Sequence, residues 1–344
     1  MRNIRLAAIF IFLAALAGTV VVFNANKPRL LILQSYDKEY SWTRDVDVGI
    51  HRGLSGNREY SVRWFYMDTK RHPWKEYKVN AGRAAQKLIR TWQPTVVIAV
   101  DDDAQQYAMR NFVNQPQIKI VYSGVNGEPQ DFGYDKANNV TGILERKPFA
   151  ALRETLLQIA SDQHRARPLR ILFLGDASES VRQDGAAFAK FDWGPIAIAG
   201  QRFAATFDDW KAAVEYAAKH QVDFIITANY RKIARKKGEK ALVPYREVIQ
   251  WTEAHSRVPL IGTNAFYVED GGMLAIATSP YEQGEVATGM ALQLLRNGKS
   301  VQDLPVQATQ QFVIAMRASS MKKWGIQLPA VYEAAARASA NYYP

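Results

Sequence analysis

Short apolar runs alternate with longer amphipathic stretches along the chain from Arg29 onward. The pattern predicts strands at residues 30–33, 61–65, 96–100, 118–122, 170–174, 196–199, 224–227, 260–262 and 273–278. It predicts helices that include residues 75–92, 149–161, 207–220, 243–255 and 283–295. Several strand runs are continuously apolar, as in strands that helices cover on both faces. The alternation therefore predicts an α/β fold built from doubly wound parallel sheets.

A break in this alternation lies near the middle of the chain. A polar loop that begins near Gly127 is followed by the run 138–144, and a fresh strand-helix series starts after it. This order predicts a second α/β lobe, with a chain that crosses between the two lobes at a hinge.

The N-terminus has the pattern of an export signal. Arg2 and Arg5 precede an uncharged apolar run at residues 6–23, and a polar segment follows it. The run is long for a cleaved signal and just long enough to span a bilayer. Ala15-Leu16-Ala17 offers a small-x-small cleavage site, whereas an uncleaved anchor with the two arginines inside fits the positive-inside rule equally well. Residues 1–27 are therefore predicted to be a signal peptide or an N-terminal membrane anchor of a periplasmic protein.

The composition of the chain and its motifs exclude several classes of function. The 344 residues include no cysteine, which excludes a disulfide scaffold, a thiolate metal site, a cysteine nucleophile and a lipid-modified N-terminal cysteine. The five histidines lack metal-ligand spacing, and no dinucleotide-binding or nucleophile-elbow motif occurs. The sequence therefore predicts no enzyme, no resident metal and no cofactor.

The net charge of +11 fits either an anionic partner or simple solubility. Residues 231–240 hold six basic side chains and one acidic one. We interpret this segment as a solvated loop, with contact to an anionic membrane or partner surface as the second interpretation. Export argues against a nucleic acid partner, and membrane contact is expected only through the N-terminal segment.

Hydroxyl, amide, carboxylate and aromatic side chains follow the predicted strands. Ligands of open parallel sheets bind beyond the carboxyl ends of the strands, which makes these residues candidate contacts. The candidates chosen in this way are Ser35, Tyr36, Trp42, Asp101, Asp102, Ser123, Gly124, Asn126, Asp176, Ser178, Ser180, Asn229, Tyr230 and Asn264. The alternative is that many of these residues only cap the helices that follow.

The triple aspartate at residues 101–103 is the sharpest local feature. Three carboxylates at a strand end suit Mg²⁺ or Ca²⁺, and they equally suit an ammonium group on a ligand. The third interpretation is that Asp102 or Asp103 caps a helix beginning near Ala104.

Several ordered motifs resemble one known family. They are Tyr122-Ser123-Gly124-Val125-Asn126 followed by Val140-Thr141-Gly142, then Gly271-Gly272-Met273-Leu274-Ala275, Tyr281-Glu282-Gln283-Gly284, Leu295-Arg296-Asn297-Gly298-Lys299, Leu304-Pro305-Val306 and Lys323-Trp324-Gly325-Ile326-Gln327-Leu328-Pro329. In order and spacing they resemble the ABC transporter substrate-binding proteins that include tryptophan/tyrosine transport components. The resemblance extends from Arg29 to Pro329.

That resemblance implies the type I periplasmic-binding fold, in which three crossovers join two α/β lobes. Lobe one would comprise residues 28–140 and 280–306, and lobe two residues 141–279 and 307–344. The ligand would lie in the cleft between them, and hinge closure would be the functional motion. The resemblance places contacts at Ser35, Tyr36, Asp101, Ser123, Asn126, Ser178, Asn229, Asn264 and Tyr281.

Two segments are more similar to a related branch, the extracytoplasmic sensor domains of membrane signalling proteins. They are Ser35-Tyr36 with Trp42-Thr43, and the run at residues 66–71. The basic segment at residues 231–240 also differs from the transport branch. Because the chain is similar to both branches, the sequence leaves the chemical class of the ligand open.

The sequence thus predicts a non-enzymatic solute-binding protein that delivers a small molecule to an ABC-type membrane transporter. An amino acid or another small polar or aromatic solute is the expected ligand. Asp101 would bind a cationic group, Ser123 and Ser178 an anionic one, and Tyr36, Trp42, Tyr230 and Tyr281 would supply stacking walls. The first alternative is a membrane-anchored sensing subunit that acts on a separate signalling protein, and the second is a metal-dependent hydrolase built on the aspartates.

Overall fold

The computed structural model describes residues 2–25, 27–163, 167–296 and 298–344. Met1 and Asn26 of the predicted leader and Asn297 of a family motif lie outside the described residues. The side chains of Arg2 and Arg5 also lie outside the described part.

The strands alternate with helices as the hydrophobic pattern predicts. They are β1 (Arg29–Gln34), β2 (Ser61–Tyr66), β3 (Val96–Val100), β4 (Lys119–Val125), β5 (Val140–Leu144), β6 (Arg170–Asp176), β7 (Ala197–Ala204), β8 (Phe224–Thr227), β9 (Leu260–Gly262), β10 (Leu274–Thr278), β11 (Gln307–Ala308), β12 (Phe312–Arg317) and β13 (Tyr342–Tyr343). Strand β3 is buried at every position, which its unbroken apolar run requires.

Most of the helices pack against the sheets, whereas the described side chains of the N-terminal helix are exposed. The helices are α1 (Arg2–Ala25), α2 (Ser41–Leu54), α3 (Lys75–Trp92), α4 (Asp101–Tyr107), α5 (Phe149–Asp162), α6 (Glu179–Lys190), α7 (Phe207–Lys219), α8 (Tyr245–His255), α9 (Phe266–Glu269), α10 (Pro280–Arg296), α11 (Ala318–Lys323) and α12 (Ala330–Ala338). Thr206 and Asp209 form a capping box that begins α7, since each side chain accepts a hydrogen bond from the other residue's backbone N–H. Within the described ranges, none of the helices combines the length and apolarity needed to cross a bilayer.

Two sheets form the centres of the two lobes. The first has the strand order β11-β5-β4-β3-β1-β2, and the second has the order β13-β12-β10-β9-β8-β6-β7. Every pair is parallel except β10 with β12, in which Leu274 faces Met316. This architecture confirms the predicted fold class, an α/β protein with two doubly wound parallel-sheet lobes.

Within the described residues, the chain crosses between the two sheets three times. It passes from β5 to α5 through residues 145–148, from β10 to α10 at Ser279, and from β11 to β12 through residues 309–311. The sequence predicts the first crossing at residue 140 and the last at residue 306. Val140–Leu144 and Gln307–Ala308 pair with each other in the first sheet, next to these crossings.

The lobes share part of their apolar core. One cluster of buried side chains continues from Leu30 and Val46 in lobe one to Trp210 and Phe266 in lobe two. Two further clusters lie within one lobe each, around Phe112 in the first and Phe173 in the second. Helices α2 and α10 pack closely in lobe one, which fixes the second crossover against the first sheet.

Candidate ligand-binding cleft

The carboxyl ends of the two sheets face each other across a cleft. Its inner end holds a small cavity of about 30 Å³, and a wider chamber of about 860 Å³ lies outside it. Tyr36 and Ser180 line both spaces, so the two are neighbours. The inner cavity is lined by Tyr36, Tyr40, Trp42, Lys70, Asp101, Asn126, Glu145, Lys147, Ser180, Val181, Asp184, Asn229 and Asn264.

Direct hydrogen bonds join the lobes at this inner end. The Asn229 amide donates to the Tyr40 hydroxyl at 2.9 Å, and the Asn126 amide donates to Asp184 Oδ1 at 3.2 Å. Tyr40 and Asn126 belong to lobe one, whereas Asn229 and Asp184 belong to lobe two. The two halves of the cleft are therefore in contact, and Tyr40, Asp184 and Asn229 are buried there.

Asp101 is the buried carboxylate at the cavity wall. It is the first residue of α4, has a φ of 65° and is only 2% exposed. Its Oδ2 atom has no hydrogen-bond partner among the described residues. Burial, and after it the charge of Glu145, raises the pKa of Asp101 well above its usual range. A cationic group beside Asp101 would offset both the burial of its carboxylate charge and the repulsion from Glu145.

The other two aspartates of the triplet point elsewhere. Asp102 accepts hydrogen bonds from the backbone N–H groups of Asn126 and Gly127, and its burial raises its pKa to about 7. Asp103 accepts from Thr69 Oγ1 at 2.7 Å and from the Lys78 ammonium at 2.8 Å.

Neither carboxylate caps the helix, so that interpretation is wrong: Ser35 Oγ accepts the Ala104 N–H instead. Among the described residues, no group of three His, Asp or Glu side chains is placed to hold a metal ion.

Two lysines, Lys70 and Lys232, approach the Tyr36 ring. Lys70 is 5% exposed, and its ammonium lies 4.1 Å from the Tyr36 ring centroid and 5.1 Å from that of Tyr40. Burial, and after it repulsion from Lys232, lowers the pKa of Lys70 to about 7. Burial also lowers the pKa of Lys232, whose ammonium lies 5.9 Å from the Tyr36 centroid.

Lys147 ties three segments together at the base of the cleft. Its ammonium donates to Glu145 Oε1 at 2.5 Å and to Asn264 Oδ1 at 3.1 Å, and it lies 3.7 Å from Asp184 Oδ2. Burial acts to lower the pKa of Lys147, but the charges of Asp184 and Glu145 outweigh it and the pKa is raised. This lysine is satisfied within the protein, in contrast to Lys70.

The cleft brings nine of the candidate residues together. The candidates at the inner cavity are Tyr36, Trp42, Asp101, Asn126, Ser180, Asn229 and Asn264, and Asp102 and Ser178 line the outer chamber. The indole Nε1 of Trp42 has no hydrogen-bond partner among the described residues. Ligand binding by these residues stays a prediction.

Other candidates have structural partners. Ser35 Oγ donates to the Val100 carbonyl while it caps α4, and Asp176 accepts the N–H groups of Ser178 and Lys232. The Tyr230 hydroxyl donates to Asp270 in the core of lobe two. None of these three residues lines the two cleft cavities.

The remaining candidates lie near the crossovers. Ser123 Oγ and the Gly124 N–H both donate to Gln283 on α10. Tyr281 lines a separate cavity of about 280 Å³, which shares Trp42 with the inner cavity. The hydroxyl of Ser123, predicted to bind an anionic group, is thus engaged by the protein.

Sequence reasoning missed several cleft residues, namely Tyr40, Lys70, Glu145, Lys147, Asp184 and Lys232. The strand-end rule, by which ligands bind beyond the carboxyl ends of the strands, also applies to Lys70 and Glu145. Lys70 lies in the loop after β2, and Glu145 directly follows β5. The interpretation of residues 231–240 as a solvated loop is wrong at its start. Arg231 is 8% exposed and donates to Asp270 Oδ2 at 2.8 Å, whereas residues 235–241 are exposed.

One family model and several solved structures match this chain. Residues 216–338 match the model of a family described as ABC transporter substrate binding proteins. The resemblance predicted from the sequence is confirmed. None of the proteins of curated function matches the chain.

Solved structures share the architecture over nearly the whole chain. A conserved domain protein from Vibrio cholerae is 16% identical, with a TM-score of 0.65 over 90% of this chain and 98% of its own. An ABC domain from Streptococcus pneumonia in complex with L-Trp is 14% identical, with a TM-score of 0.63 over 89% and 98%.

A ligand-free, open substrate binding protein with adhesive properties from Clostridium difficile is also 14% identical, with a TM-score of 0.64 over 88% and 96%. At these identities the likeness concerns the fold, which is of the type I periplasmic-binding kind.

Proposed function

We propose that this protein is an exported, non-catalytic solute-binding protein that captures a small molecule between its lobes and delivers it to an ABC-type membrane transporter. The observation that carries the proposal is the cleft between the lobes, where a chamber of about 860 Å³ adjoins a small inner cavity lined by the buried Asp101 and the aromatic side chains of Tyr36, Tyr40 and Trp42. Both lobes contribute to this cavity, so a bound solute would contact both and stabilise the closed arrangement.

The ligand would carry a cationic amine near an apolar or aromatic part. An ammonium group at Asp101 would replace water that the buried carboxylate has lost, and the aromatic side chains would pack against the apolar part. The unpartnered Trp42 Nε1 would donate a hydrogen bond to a ligand acceptor. The match to the substrate-binding family supports capture for transport as the purpose of this site.

The lobes would move as two units about the three crossovers. We assign lobe one to residues 29–144 and 280–308, and lobe two to residues 149–278 and 312–344, following the observed sheets. The hydrogen bonds Asn229–Tyr40 and Asn126–Asp184 would break on opening and form again on closure.

Export and the transporter are parts of the same proposal. The apolar run at residues 6–23 would direct the chain across the inner membrane, after which it is cleaved or kept as an anchor. Fractionation of cells that express the full chain, with mass spectrometry of its N-terminus, tests this step. Recovery of the protein in the cytoplasm with Met1 intact would contradict it.

Titration calorimetry of the full-length protein with amino acids, amines and other small polar solutes tests the binding function. One saturating solute without turnover is expected, and Asp101→Asn should weaken its binding by roughly 10- to 100-fold, because a charge-assisted hydrogen bond is lost. Asp135→Asn, at an exposed position, is the matched control and should bind as the wild type does. Equal affinity in Asp101→Asn and the wild type would contradict the assignment.

A further inference from the structure

A lysine-rich hairpin projects from lobe two between β8 and α8. The backbone N–H of Arg235 donates to the Ala241 carbonyl at 2.9 Å, and Ala234 forms an antiparallel bridge with Leu242. We call residues 234–242 the basic hairpin. Its cross-strand bonds give this segment a defined shape.

The tip of the basic hairpin presents unpaired positive charge to solvent. Its exposed cations are Lys236, Lys237 and Lys240. Among the described residues, none of these three lysines has a hydrogen bond or an ion pair. Arg235 differs from them, because two hydrogen bonds of 2.8 Å join its guanidinium to Glu247. Glu239 is the one acidic residue of the hairpin, so the tip keeps a net positive charge.

Two aromatic side chains lie beside these lysines. The Lys240 ammonium lies 5.7 Å from the ring centroid of Trp74, a partly exposed residue of lobe one. Tyr245 follows the hairpin, is 38% exposed and lines the same surface cavity of about 450 Å³ as Lys240. Trp and Tyr are the aromatic residues that favour the headgroup level of a bilayer, and basic residues favour its anionic surface. The side chains around the hairpin tip therefore match the chemistry of a lipid surface.

We propose that the basic hairpin, together with Trp74 and Tyr245, binds the surface of an anionic lipid bilayer. Lysine favours this partner over an acidic protein, because lysine is depleted from protein–protein interfaces whereas anionic headgroups attract clusters of basic residues. The contact is additional to the one expected from the N-terminal segment. It goes beyond solute capture, since it requires neither a solute nor closure of the cleft.

A fluorescent label on the hairpin tests this contact in the full-length protein. The chain has no cysteine, so Glu239→Cys supplies a single thiol for an environment-sensitive fluorophore, and Asp135→Cys is the control at another exposed acid. Each labelled protein is titrated with phosphatidylcholine vesicles and with vesicles that contain about 30% phosphatidylglycerol. The emission of the label at position 239 should shift to shorter wavelength with the anionic vesicles alone, and the label at position 135 should not respond.

Charge variants separate attraction to lipid from a change of fold. Lys236→Ala, Lys237→Ala and Lys240→Ala together should weaken binding to the anionic vesicles by about tenfold or more, because each of these lysines adds attraction. The same three changes to arginine keep the charge and should retain binding. Lys87→Ala, Lys136→Ala and Lys190→Ala together remove equal charge at exposed positions elsewhere and should have a smaller effect. Binding should disappear in 1 M NaCl, where the screening length is about 3 Å.

Four results would overturn the inference. The first is an equal response of the hairpin label to neutral and anionic vesicles, and the second is undiminished binding by the hairpin alanine variant. The third is an equal loss in the control triple variant, which would show that net charge alone sets the binding. The fourth is a label that responds to soluble polyglutamate and to no vesicle, which would assign the hairpin to an acidic protein partner. Solute binding is measured separately by calorimetry, so failure of this inference is distinguishable from failure of the proposed function.

Discussion

Replacing Lys70 by methionine should stabilise the unliganded protein. The side chain is 5% exposed and has no hydrogen bond or ion pair with the described residues, so the folded state confines a charge that the unfolded chain exposes to water. Methionine has a similar length and no charge. The variant thus keeps the packing against Tyr36 and Tyr40 and loses the cost of burying an ammonium.

The pKa of Lys70 gives the size of this cost. A lysine whose pKa falls from 10.5 to about 7 on folding favours unfolding at pH 7 by about 4 kcal/mol, at about 1.4 kcal/mol for each tenfold change in proton affinity. The folded pKa is depressed, so the cost is largest below pH 7, at about 5 kcal/mol. It falls to about 2 kcal/mol at pH 9 and disappears above pH 10.5.

Urea unfolding of wild type and Lys70→Met, followed by circular dichroism at pH 7 and pH 9, measures the effect. The variant should be the more stable protein at both pH values, and the difference should be about halved at pH 9. Lys219→Met, whose side chain is 72% exposed, should change the stability by less than about 0.5 kcal/mol. A Lys70→Met protein that is less stable than the wild type, or a difference that does not depend on pH, would refute the reasoning.

Two further predictions concern the packing of α2 against α10 and the interlobe contact. A Cβ at position 284 would lie 2.2 Å from the Val46 carbonyl oxygen, so Gly284→Ala should force α2 and α10 apart and cost about 1–3 kcal/mol. Gly289→Ala on the same helix meets no atom within 4 Å and should stabilise by about 0.5–1 kcal/mol; thermal melts that show equal effects would contradict this packing. Tyr40→Phe removes the hydroxyl that accepts the Asn229 amide and should weaken solute binding by about 2- to 10-fold, with a larger radius of gyration by X-ray scattering. An unchanged radius and affinity would show that this bond does not hold the lobes together.

Much of the fold could be predicted from the sequence, because buried strands have a strong signature. An unbroken apolar run such as Val96–Val100 leaves few alternatives once helical stretches flank it. The shortest strands, such as Gln307–Ala308, carry no such pattern. They pair because the crossovers bring the chain alongside an existing sheet edge, a long-range effect that local residues do not encode.

The cleft was predicted in outline, with errors that have a clear physical origin. The strand-end rule leads to Tyr36, Asp101 and Asn229, which line the inner cavity, since parallel strands present their carboxyl ends at one edge. The same rule cannot tell a free hydroxyl from an engaged one. Ser35 and Ser123 look alike in sequence, yet one caps α4 and the other donates to α10.

Buried charges were the hardest part to foresee. Lys147 and Asp184 lie on different elements, and their ion pair depends on how lobe two packs against the first crossover. Lys232 lies at the start of a basic segment whose other members are mostly exposed, so composition alone predicts a solvated side chain. Only the tertiary arrangement shows that this lysine approaches Tyr36.

Calorimetric titration of the full-length protein with the best solute from the screen, repeated on Asp101→Asn, tests the central claim most directly. One molecule bound per chain, no chemical change in the recovered solute, and at least tenfold weaker binding by the variant are the predicted results. Binding that Asp101→Asn leaves unchanged, or turnover of the solute, would contradict the assignment of this cleft as a solute-binding site.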